Sequence, residues 1–116
     1  MPDLPIPTKL VVMIVSDSDT ASLMNRIVEE GLPATKLGSS GGFLRRGNST
    51  ILSGVSDEQV DVVIALVDEL CHARKEYVPM QTMPFLGEGT FSAEPVEVRV
   101  GGAIVFVLPI DRFERI

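Results

Sequence analysis

The 116-residue sequence is short of the groups on which most enzyme and metal chemistry depends. It holds one histidine, one cysteine and no tryptophan. A lone cysteine, Cys71, cannot close an internal disulfide, which excludes a disulfide scaffold and fits a reducing compartment. His72 follows it directly, and adjacent residues on a helix diverge by about 100°, so the two do not face one substrate as nucleophile and base. No set of His, Cys and carboxylate residues has the spacing of a metal site. Long apolar runs are missing as well. Leu10–Val15 and Ala103–Leu108 are the most apolar stretches, far below the roughly 20 residues that span a bilayer as a helix. Residues 1–8 carry no basic segment and no apolar core of a secretory signal, and their three prolines suit a loose tail. Positive charge is scarce too. Ten basic residues face 16 acidic ones, for a net charge of −6, which speaks against DNA or RNA as a partner. A cytoplasmic, non-enzymatic protein without nucleic-acid, membrane or metal partners is the expectation.

What is present suits one globular domain. Hydrophobic residues make up 45% and charged residues 22% of the chain, both ordinary values. Lys9–Ser16 is a continuously apolar, β-branched run, as in a strand covered on both faces. Asp17, Ser18 and Asp19 suit the first turn of a helix. Leu23, Met24, Ile27 and Val28 then recur at helical spacing, and Gly31 is a stop signal. Residues 33–39 read as extended, Ser39-Ser40-Gly41-Gly42 as a loop, and Asn48–Val55 as a second strand. Ser56 and Gln59 have the spacing of a capping box. Behind it, Val60, Val63, Ile64, Val67, Leu70 and Cys71 form the stripe of a second helix. Residues 74–93 show no period, and loops of that length are uncommon unless functional or disordered. Val96–Val100 alternates, Gly101-Gly102 suits a hairpin turn, and Ala103–Leu108 is again fully apolar. The resulting order points to an α+β fold, a ferredoxin-like βαββαβ protomer over residues 9–116 with an added C-terminal hairpin strand. Two helices cover one sheet face only, yet the first and last strands are apolar on both. More copies of the same chain are the simplest cover for the other face.

One segment stands apart chemically. Gly31–Ser56 contains Lys36, Arg45 and Arg46 and no acidic residue. Taking its +3 from the total of −6 leaves −9 for the rest of the chain. It is rich in Gly, Ser, Thr and Asn, whose backbone and hydroxyl donors suit an anion, and Phe43 offers a ring on which a base can stack. The Gly-Lys-Ser/Thr ending of a P-loop is missing, so nucleotide hydrolysis is not implied. The same composition also fits a mobile hairpin loop with solvated arginines.

Ala34-Thr35-Lys36-Leu37, Gly41-Gly42-Phe43-Leu44-Arg45, Gly47-Asn48, Gly54-Val55, Pro95-Val96-Glu97-Val98, Val100-Gly101-Gly102-Ala103, Val105-Phe106-Val107, Pro109 and Asp111 together resemble the PII-like cyclic-di-AMP receptor family. The resemblance runs from about Lys9 to the C-terminus. It implies a homotrimer that binds cyclic di-AMP in clefts between subunits and signals through loop rearrangement, without a catalytic step. By motif, Thr35 matches a ligand contact, and Gly42, Phe43, Leu44 and Arg45 match the loop that wraps the ligand. Asn48 matches a residue that meets an adenine edge, Gly54 a close-approach position, and Phe106 an aromatic near the base. Residues 74–93 correspond to a large loop that meets a downstream protein. The chain departs from the family pattern at Gly31 and Pro33, where an Asn and an Arg are usual, and at Arg115, where a Gln is usual. A PII-like trimer for another nucleotide is one alternative. A ligand-independent interaction module that uses Met80, Met83, Phe85, Leu86 and Phe91 is another.

Overall fold

A computed structural model describes residues 5–37, 47–79 and 95–116. In order, the elements are β1 (Lys9–Ser16), α1 (Asp17–Glu29), β2 (Thr35–Leu37), β3 (Asn48–Val55), α2 (Asp57–Cys71), β4 (Arg74–Pro79), β5 (Pro95–Val100) and β6 (Ala103–Pro109). The fold is mixed α+β. Four strands form one sheet in the order β2-β3-β1-β6, all neighbours antiparallel, and β4 and β5 form a separate two-stranded ribbon.

Alternation along β1 builds the core. Val11, Met13 and Val15 are fully buried under the two helices, together with Ile51 and Val55 of β3. From α1 come Leu23 and Ile27, and from α2 come Val63, Leu66, Val67 and Cys71. Two β3 serines that share this face are buried with their hydroxyls satisfied. Ser53 Oγ donates to the Pro33 carbonyl at 2.6 Å, and Ser49 Oγ donates to the Asp17 carboxylate. That satisfaction removes the penalty for burying a hydroxyl in an apolar layer.

Helix ends follow the residues expected of them. Gly31 sits at φ +80°. Its N–H donates to the Val28 carbonyl and that of Leu32 to the Ile27 carbonyl, at 2.9 and 3.1 Å, which is the paired closure of a Schellman motif. Ser56 and Gln59 form the capping box at the start of α2, with Ser56 N–H donating to Gln59 Oε1 at 3.0 Å. Val28, expected on the buried stripe of α1, is instead 59% exposed, one position beyond the arc that Leu23 and Ile27 define.

Two parts of the chain differ from the sequence reading. Residues 74–79, read as the start of a loop, are strand β4. The anticipated C-terminal hairpin is not formed either. β5 pairs with β4, β6 pairs with β1, and Gly101 and Gly102, both at positive φ, make the corner between the two sheets. Gly102 N–H donates to the Cys71 carbonyl at 2.6 Å, so the corner is tied to the end of α2. Thr8, which ends the proline-rich start, is also anchored. Thr8 N–H donates to the Val55 carbonyl, Ile110 N–H donates to the Thr8 carbonyl, and Thr8 Oγ1 donates to Asp57 Oδ1.

Candidate ligand-binding face

The register places every described candidate residue on one side of the sheet. Thr35 pairs with Leu52, Leu52 with Val12, and Val12 with Phe106, so one row crosses all four strands from Thr35 to Phe106. Asn48 and Gly54 lie on the same face of β3 at even spacing from Leu52. This is the face away from the helices. Thr35 is exposed, Asn48 and Gly54 are half-buried, and Phe106 is 51% exposed. Gly42, Phe43, Leu44 and Arg45 lie outside the described residues, as do Met80, Met83, Phe85, Leu86 and Phe91.

Thr35 and Phe106 occupy opposite edges of the sheet. Three interstrand steps separate them, about 14 Å at the usual spacing. The single chain therefore brings neither residue to the other. Between them the row is apolar, and Leu10, Val12, Ile14, Leu52, Ile104 and Leu108 share its face. Ile104 and Leu108 are 56% and 46% exposed.

Gly54 opens onto a pocket of about 380 Å³ at one end of this sheet, within the ~300–1,000 Å³ range of small-molecule sites. Its walls come from Pro5, Ile6 and Pro7, from Gly31, Leu32 and Pro33, and from Gly54 and Val55. Ser56, Gln59, Phe113 and Arg115 complete it. The close approach at Gly54 is to Pro7, since a Cβ there would stand 3.3 Å from Pro7 Cβ and Cγ. The sequence marks Gly54 but not the pocket, because the walls come from segments far apart in the chain. The acid-free composition of Gly31–Ser56 is the signal that points to it.

The first turn of α1 holds two further segments. Asp17 N–H donates to the Gly47 carbonyl at 2.8 Å, fixing the residue that follows 38–46. Asp19, almost fully buried, receives Arg74 in a two-pronged contact, Nη2 to Oδ1 at 2.9 Å and Nη1 to Oδ2 at 3.4 Å. These hydrogen bonds to Asp19 are the largest cause of the rise in the Arg74 pKa. The pair clamps the root of the β4–β5 ribbon to the domain. The same Asp19 bears on Cys71. Burial first, and then the Asp19 charge, push the Cys71 thiol up to about 11, which leaves a poor nucleophile. Asp17 and Asp19 thus serve structure, as first-turn acids. Among the described residues no group of His, Cys, Asp and Glu could hold a metal ion. No described helix is long and apolar enough to cross a membrane.

The sequence profile of a family described as cyclic-di-AMP receptor matches residues 8–116. The chain belongs to the cyclic-di-AMP receptor family. It is also similar to a crystallised protein of unknown function from Pediococcus pentosaceus ATCC 25745. The two are 38% identical with a TM-score of 0.73, over 97% of this chain and 100% of that one. The cyclic-di-AMP receptor family is one of receptors, not of enzymes.

Proposed function

We propose that this receptor binds cyclic di-AMP in clefts between the subunits of a homotrimer and signals through movement of the segments that flank the cleft. The protomer is ferredoxin-like, with the β4–β5 ribbon inserted before the last sheet strand. The observation that carries the reading is the row from Thr35 to Phe106. Its two ends lie on opposite edges of one sheet, too far apart to grip the same base from within one chain. A head-to-tail contact places the Thr35 edge of one subunit beside the Phe106 edge of its neighbour, and such contacts close into a ring. The apolar face between those edges is then covered by neighbouring subunits. Gly42, Phe43, Leu44, Arg45 and Asn48 are the further ligand contacts of this reading. The downstream partner is a protein reached through residues 74–93, whose ribbon is held at Asp19. The setting is the cytoplasm, and the reading needs no metal, nucleic acid or catalytic step.

Isothermal titration with cyclic di-AMP, ATP, ADP and cyclic di-GMP tests the ligand. Cyclic di-AMP is expected to bind at one site per subunit. Absence of heat with it, or stronger binding of a mononucleotide, overturns the assignment.

A further inference from the structure

Arg74 stands where the β4–β5 ribbon leaves the domain, and its guanidinium meets both. On the domain side it grips both carboxylate oxygens of Asp19, and Nη1 also donates to the His72 carbonyl at 3.2 Å. On the ribbon side, Nε donates to Glu76 Oε1 at 3.3 Å, two residues along β4 and so on the same face of the strand. The group packs against the corner that returns the ribbon to the sheet. A Cβ on Gly101 would stand 2.5 Å from Nη1, so the missing side chain makes the seat.

The two acids are not equivalent. Asp19 is buried and Glu76 is exposed. A pair at an exposed carboxylate is worth little, whereas a buried carboxylate that loses its partner is costly. Position softens that cost here. Asp19 is the third residue of α1, where the helix dipole favours negative charge with or without Arg74. The guanidinium therefore has two resting places, shared with Asp19 or kept on Glu76. The ribbon is docked in the first and released in the second.

The same helical turn reaches a candidate ligand contact. Ser16, the N-cap of α1, lies opposite Asn48 in the β1–β3 register. On either side of Asn48, the Gly47 carbonyl accepts from Asp17 N–H at 2.8 Å and Ser49 Oγ donates to the Asp17 carboxylate. Thr20 Oγ1 donates to the Ser16 carbonyl at 3.0 Å, which ties the turn to its cap. One turn, residues 16–20, thus joins the flanks of Asn48 to Arg74.

We infer that this turn couples ligand at Asn48 to the ribbon, with Asp19 and Arg74 as the positioning pair that docks it. The inference rests on the cyclic di-AMP reading and deepens it. Contacts that steady Asn48 steady the turn, which then presents both Asp19 oxygens to the guanidinium and favours the docked arrangement.

Hydrogen exchange of the ribbon amides in residues 75–77 and 97–99, with and without cyclic di-AMP, tests it. In wild type the ligand is expected to slow them about fivefold or more, the scale of ordinary coupling between sites. Asp19→Asn should still bind, more weakly by the same factor, because coupling is reciprocal. Its ribbon should exchange equally fast with and without ligand. Asp19→Asn combined with Arg74→Gln leaves neither charge buried alone and serves if the single variant does not fold. Its ribbon should ignore the ligand too. Slowing of wild-type size in a folded variant overturns the inference, by assigning the effect to direct contact between ligand and ribbon. Loss of binding in a folded variant also overturns it, because the pair then holds the site itself. Wild type that binds cyclic di-AMP without slowing the ribbon overturns the inference and leaves the ligand assignment standing. Wild type that takes no cyclic di-AMP overturns both.

Discussion

At the scale of the residue, Cys71 shows how burial decides chemistry. It is the one cysteine in the chain, it is 0% exposed, and its thiol is pushed up to about 11 by burial and by the neighbouring Asp19 charge. The neutral thiol is favoured in the folded state. Its contribution to stability is therefore fully present below the ordinary thiol pKa of 9.0 and is lost as pH rises toward about 11. Over that window the folded protein is expected to lose up to roughly 1.4 kcal/mol per pH unit from this group. Urea titrations at pH 8, 9.5 and 11 check it. Cys71→Ala should remove part of the fall, and a parallel fall in the variant would assign it to other groups. Native protein should also resist thiol reagents at pH 8 until it is unfolded. Helical spacing alone placed Cys71 in the core. The Asp19–Arg74 pair was out of reach, because nothing local marks an acid on one helix and an arginine 55 positions later as neighbours.

At the scale of the element, the legible features were those set by neighbours in sequence. Capping at Ser56, the stop at Gly31 and the apolar run of β1 all depend on residues within a few positions. Pairing between β5 and β6 was misread because Gly101-Gly102 suits a hairpin and a corner equally well in isolation. The choice is made elsewhere, by the hydrogen bond from Gly102 to Cys71 and by the apolar match of β6 to β1. Strand β4 was missed because Arg74-Lys75-Glu76-Tyr77 shows no apolar alternation. Its ribbon instead gains cross-strand polar contacts, Lys75 Nζ to Glu97 Oε1 and Tyr77 Oη to Glu97 Oε2, both at 3.2 Å. Two glycine variants separate these effects. Gly31→Ala meets nothing within 4 Å, so its cost is backbone strain at φ +80°, about 1 kcal/mol. At Gly101 (φ +77°), an added Cβ would stand 2.7 Å from the His72 carbonyl oxygen. Gly101→Ala should therefore cost clearly more than Gly31→Ala in urea unfolding. A smaller loss would show that the corner yields without resistance.

At the scale of the whole molecule, the sheet has one face packed and one waiting. The helices cover Val11, Met13 and Val15, while Ile104, Phe106 and Leu108 stand about half exposed on the opposite face of the edge strand β6. A soluble monomer seldom leaves such a patch open, and the sequence already showed the first and last strands as apolar on both faces. What it could not show is that Thr35 and Phe106 end one row, since that depends on three strand registers at once. If the row is completed by a neighbouring subunit, assembly and ligand binding must fail together. Ile104→Glu tests this away from the candidate ligand contacts. Ile104 is directly opposite Ile14 and points to the uncovered face, so an isolated subunit tolerates the charge there. A buried interface does not, because an unpaired carboxylate in it loses its hydration. Light scattering is expected to give a trimer mass for wild type and a monomer mass for the variant. Circular dichroism should stay unchanged, and the variant should take up no cyclic di-AMP. A variant that remains trimeric places the interface elsewhere, and a monomeric variant that still binds with wild-type affinity confines the site to one chain.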